Sequence, residues 1–158
     1  MENMLRNAIE KAFEKKLRRN KGSQWEYPMY WAIDLHDVII PGTYTRNNDD
    51  RDLYPNAEEV LQWLSKRDDM CIVLYTSSHS DSISDIVNWL ADQHIVVNYI
   101  NENPECKDTE LCSFSSKMYF DVMLEDKAGF VGGTDWKIVK DTIDGLDEWR
   151  KKHSHSDV

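Results

Sequence analysis

Cysteine is scarce in this chain: Cys71, Cys106 and Cys112 form neither a paired framework nor the Cys-x-x-Cys spacing of a metal site, so reduced thiols are expected. No apolar run approaches the roughly 20 residues that a membrane span needs. The stretch from Met1 to Lys21 interleaves Glu, Lys and Arg with its apolar residues, so it lacks the unbroken apolar segment of a secretory signal, and a cytoplasmic location is expected. Basic residues are the scarcer charge, 19 against 29 acidic, and the net charge of −10 repels phosphate backbones and weighs against broad nucleic-acid binding. The densest basic run, Lys15-Lys16-Leu17-Arg18-Arg19-Asn20-Lys21, reads as a solvated helix end whose cations complement the helix dipole. There are no internal repeats and no low-complexity segments.

What is present fits one folded unit. A chain of 158 residues, 41% hydrophobic and 30% charged, is long enough for a single core and too short for two full domains. Leu5, Ala8, Ile9, Ala12 and Phe13 recur at helical spacing, predicting an amphipathic N-terminal helix that stops near Lys21-Gly22. Its apolar face is a candidate surface for a protein partner or a second copy of the chain. Met29 to Ile33, Met70 to Tyr75, Ile95 to Ile100 and Tyr119 to Leu124 read as buried strands. Between them, Ala57, Val60, Leu61 and Leu64, then Ile83, Ile86, Val87 and Leu90, carry the period of helices with one buried face. A last helix is expected from about Thr134-Asp135, with Trp136, Val139, Ile143 and Leu146 on one side. Trp63, Trp89, Trp136 and Trp149 fall in these helices, where packing is the expected role.

Strands alternating with helices predict an α/β fold with a mostly parallel sheet. The division expected is an N-terminal helical extension over 1–28, an α/β domain over 29–150 and a flexible tail over 151–158. Residues 41–53 are polar and read as a loop or small flap, in which Arg46 and Arg51 either balance Asp49, Asp50 and Asp52, the favoured reading, or touch an anionic substrate.

Ligands of open parallel sheets bind beyond the carboxyl ends of the strands, and the polar residues fall there. Strand one delivers Asp34-Leu35-His36-Asp37, strand two Thr76-Ser77-Ser78-His79, and strand four Glu125-Asp126, with Lys117 just ahead of it. Converging carboxylates repel one another unless a cation neutralises them, and hard oxygen ligands favour Mg²⁺. A phosphoryl group suits such a site: the metal and lysine share its charge, the threonine hydroxyl bonds an oxygen, and a carboxylate attacks phosphorus.

With these residues in order, the sequence resembles the haloacid dehalogenase superfamily. Trp31-Ala32-Ile33-Asp34-Leu35-His36-Asp37-Val38-Ile39 is similar to its first motif, Ile72-Val73-Leu74-Tyr75-Thr76 to its second, and Lys117 with Tyr119 to Asp126 to its closing motifs. The resemblance spans about residues 29 to 146, and Glu125 to Phe130 looks most like the small capless phosphatase and nucleotidase branch. It implies a three-layer sandwich with a Rossmann-like sheet and no substantial cap. It further implies a Mg²⁺-dependent phosphomonoester hydrolase, acting on a nucleotide or a nucleic-acid end. Asp34 would be the nucleophile, Thr76 and Lys117 would hold the phosphoryl group, and Asp34, Asp126 and the His36 backbone carbonyl would bind the metal, with Glu125 beside it. The second acid of the first motif is here His36, which either serves as acid and base or leaves an impaired protein that keeps the pocket for binding a ligand or protein.

Overall fold

The computed structural model describes residues 3–20, 28–42 and 52–153; Trp25, Arg46, Arg51 and most of the expected flap lie outside the described residues. In chain order the elements are α1 (Met4–Arg19), β1 (Met29–Asp34), α2 (Ala57–Ser65), β2 (Met70–Tyr75), α3 (Ser80–Asp92), β3 (Tyr99–Ile100), β4 (Val122–Leu124) and α4 (Trp136–His153). A 3₁₀ turn, Asp126–Ala128, lies between β4 and α4. The sheet has the order β3-β2-β1-β4, and every pairing is parallel. The α/β fold expected from the alternating pattern is therefore present.

Residues that pair in register in a parallel sheet share a face, and successive residues alternate faces. Met29, Trp31, Ile33, Ile72, Leu74, Val122 and Leu124 point to one side, where they join a single apolar core with Phe13, Leu61, Leu90 and Trp136 from the four helices. Tyr30, Ala32, Asp34, Cys71, Val73, Tyr75, Tyr99 and Met123 share the opposite face. No helix crosses from β3 to β4; the irregular segment 101–121 covers this second face instead. It is tied down by Glu105, whose carboxylate accepts from the Tyr30 hydroxyl at 3.0 Å and the Tyr99 hydroxyl at 2.6 Å. The layers are thus helices, sheet and this crossover segment.

Both outer strands are shorter than their apolar runs. Asn98 Oδ1 accepts from Ile72 N–H at 2.8 Å, and Asp121 Oδ2 accepts from Tyr30 N–H at 2.8 Å, so side chains take ladder positions that backbone carbonyls would fill. The two ends of the chain also differ from expectation. The apolar face of α1 is covered within the chain: Ile9, Ala12 and Phe13 are buried, and α1 packs on α4, β1 and β4. Lys16, read as part of a solvated run, is only 2% exposed; its ammonium lies 3.2 Å from the Asp121 carboxylate and over the rings of Tyr30 and Tyr119. Residues 151–153, expected in a flexible tail, are the last residues of α4, where the His153 ring stacks on Trp149. No described helix is long and apolar enough to cross a membrane.

Candidate functional site

Because Ile33 pairs with Leu124, the next residues, Asp34 and Glu125, leave adjacent strands side by side at the carboxyl edge of the sheet. The 3₁₀ turn then brings Asp126 back toward them, with Glu125 capping the turn by accepting from Lys127 N–H at 3.2 Å. One carboxylate oxygen from each of Asp34, Glu125 and Asp126 lies within 4.8 Å of the others. Such crowding has an electrostatic consequence. Partial burial, followed by the charge of Glu125 and hydrogen bonding with both neighbours, pushes Asp34 up to about 7, although Leu35 N–H donates to it at 2.8 Å. Hydrogen bonding with Glu125 and then Asp34 holds Asp126 below the usual carboxylate range. The crowding disfavours ionising Asp34, a divalent cation would relieve it, and the all-oxygen donor set suits Mg²⁺.

Thr76 sits one residue beyond Tyr75, the register partner of Asp34. Its backbone is clamped from both sides by one side chain: Asn101 Oδ1 accepts from Thr76 N–H at 2.8 Å, and Asn101 Nδ2 donates to the Thr76 carbonyl at 2.7 Å. Asn101 adopts φ 56° to do so, a conformation asparagine tolerates better than most residues. The Thr76 hydroxyl donates to Ser78 Oγ at 3.0 Å and accepts from Ser78 N–H at 3.2 Å, in the loop that leads into α3.

The turn after β1 is tight. The amide of Ile40 donates to the Leu35 carbonyl and that of Asp37 to the Ile40 carbonyl, which bridges His36 to Ile40 while leaving the His36 carbonyl out of both bonds. The His36 side chain is exposed. Asp37, with φ 64°, turns its carboxylate inward to accept from Gly42 N–H at 2.9 Å. A Cβ at Gly42 would sit 2.7 Å from both Asp37 oxygens, so this contact requires glycine.

Of the residues singled out from sequence, Asp34, Glu125 and Asp126 form one cluster, and Thr76 and His36 flank it on adjoining segments. Lys117 does not join them: it is exposed on the wall of a neighbouring cleft, and among the described residues it forms no ion pair. His79 is the N-cap of α3, and His94 follows its C-terminal end. The Asn101 clamp was hidden from the sequence because it lies in a polar, irregular stretch with no periodicity to mark it.

No protein-family model matches the chain, and neither does any curated protein sequence. A solved structure does. A conserved protein from Bacteroides thetaiotaomicron superposes with a TM-score of 0.56 over 75% of this chain and 92% of that one, at 19% identity. The likeness is one of fold.

Proposed function

We propose that this protein is a Mg²⁺-dependent phosphomonoester hydrolase of the haloacid dehalogenase type. The observation that carries the reading is the cluster of Asp34, Glu125 and Asp126 at the carboxyl edge of the sheet, crowded enough to raise Asp34 well above the usual carboxylate range. A bound Mg²⁺ would neutralise the cluster and polarise the phosphoryl oxygens. Freed of its proton, Asp34 attacks phosphorus, and the bond to the leaving oxygen breaks as the aspartyl-phosphate bond forms. His36 gives a proton to that oxygen, then takes one from the water that hydrolyses the intermediate, which restores Asp34 and releases phosphate. Thr76 bonds a phosphoryl oxygen, with Asn101 fixing its backbone; Lys117, exposed on the wall of the neighbouring cleft, is not assigned that role. Reduced thiols at Cys71, Cys106 and Cys112 accord with a cytoplasmic setting.

The test is turnover of p-nitrophenyl phosphate and nucleoside monophosphates with Mg²⁺, with EDTA, and in Asp34→Asn. Turnover is expected only with metal, and the variant should lose on the order of a thousandfold or more. Activity surviving in Asp34→Asn would remove the nucleophile and with it the reading.

One observation favours a second reading, a pocket that binds without turnover. The family's second acid is His36 here, and Asp37 cannot stand in for it while its carboxylate is turned onto Gly42. His36→Asp separates the two. Under the hydrolase reading, kcat should fall by about a hundredfold, as for loss of a positioned acid–base group; under the second, activity should appear or rise.

A further inference from the structure

We infer that the cleft on the Asp34 face of the sheet seats a flat aromatic group carried by the phosphomonoester. The inference rests on the hydrolase reading for the phosphoryl end and on independent geometry for the other. The cleft measures about 780 Å³, within the roughly 300–1,000 Å³ of small-ligand sites. Tyr75 and Met123 form its floor, with Phe114, Phe120, Lys107 and Lys117 around it. Tyr75 is the register partner of Asp34, so the two side chains leave the same sheet face from strands about 4.8 Å apart. Met123 pairs with Ala32, on that face as well.

Exposure of the floor points to a ligand. The other residues of β2 are all buried, yet Tyr75 is 41% exposed inside a concave site. An aromatic ring left open there has a face available for stacking, a contact that every nucleobase and aryl ring can make. Phe114 is held edge-on to Tyr119 at 5.8 Å, which steadies that wall. Lys107 and Lys117 line the cleft together with Glu102 and Asp108, so its charges balance and the ester's charge is left to the phosphoryl end. The amide side chains are already engaged, Asn101 on Thr76 and Asn103 on the Tyr119 carbonyl, so neither is available to read the ring's polar edge. A mononucleotide and a simple aryl phosphate both satisfy this chemistry.

The experiment measures equilibrium binding to the full chain carrying Asp34→Asn, with Mg²⁺, of phenyl phosphate, adenosine monophosphate, glycerol 1-phosphate and a 5′-phosphorylated oligonucleotide. Binding of the two aromatic esters is expected to be about tenfold tighter than that of glycerol phosphate. Adding Tyr75→Ala should bring that ratio near one, whereas Tyr75→Trp should keep it, with circular dichroism confirming that both fold. A margin of adenosine monophosphate over phenyl phosphate would name a nucleoside as the source of the ring, and equal binding a general aryl group. A ratio near one before Tyr75 is changed, a ratio that survives Tyr75→Ala, binding of none of the esters, or tight binding of the oligonucleotide alone would overturn the proposal. Turnover of all esters by the Asp34 chain with a flat ratio would sink the cleft and spare the hydrolase; a clear ratio with no turnover would do the reverse.

Discussion

Ionising Asp34 costs the folded chain stability. Its carboxyl is raised from 3.8 to about 7, first by burial and then by Glu125, so between those values the folded chain binds the proton more tightly than the unfolded one. Stability from this group is complete below about pH 4 and is lost as pH rises through about 7. Asp34→Asn removes the repulsion at its centre. In EDTA at pH 8 the variant should melt above the wild type, and the difference should vanish near pH 4; calorimetry at the two pH values checks it, and a lower melting temperature at pH 8 would contradict the proposed crowding. Asp34, Thr76, Glu125 and Asp126 were legible in the sequence because each follows an apolar run, which places it at a strand end. Tyr75 was not, since the same run makes it look like one more buried strand residue. What exposes it is the lack of a helix over its face, a property of segment 101–121 rather than of β2.

Among the elements, α1 shows how a local pattern misleads about its far partners. The helical period correctly marks Ile9, Ala12 and Phe13 as one face, but nothing in Lys15-Lys16-Leu17 distinguishes the lysine that turns inward. Asp121 makes that burial tolerable, and Asp121 also accepts from Tyr30 N–H and from the Tyr119 hydroxyl at 2.7 Å. Removing it strands the ammonium between two rings. Asp121→Ala should cost about 3–5 kcal/mol in urea unfolding; Lys16→Met should cost less, because Asp121 keeps its bonds from Tyr30 N–H and the Tyr119 hydroxyl, and adding Lys16→Met to Asp121→Ala should recover part of the loss. Strictly additive losses in the double variant would show that the pair is not coupled. The same Asp121 explains why β4 is shorter than its apolar run, just as Asn98 does for β3. Strand identity was readable from hydrophobic runs; strand length was not, because side chains replaced backbone acceptors.

Across the whole molecule, the proposed metal site would link metal, proton and fold. Mg²⁺ at about a hundred times its dissociation constant should stabilise the chain by roughly 2.7 kcal/mol. The melting-temperature gain should be larger at pH 8 than at pH 6, because at the lower pH a proton must first leave Asp34, and it should be smaller in Asp34→Asn. Thermal scans with Mg²⁺ and with EDTA at the two pH values check this; a gain independent of both pH and Asp34 would place the ion elsewhere. One more consequence follows from the outer strands, which number two residues in β3 and three in β4. An exposed strand is a template on which another polypeptide can extend the sheet, and templates this short offer few rungs. The side chains of Asn98 and Asp121, by curtailing the ladder at both margins, also protect a sheet rich in Val, Ile and Leu from edge-to-edge aggregation.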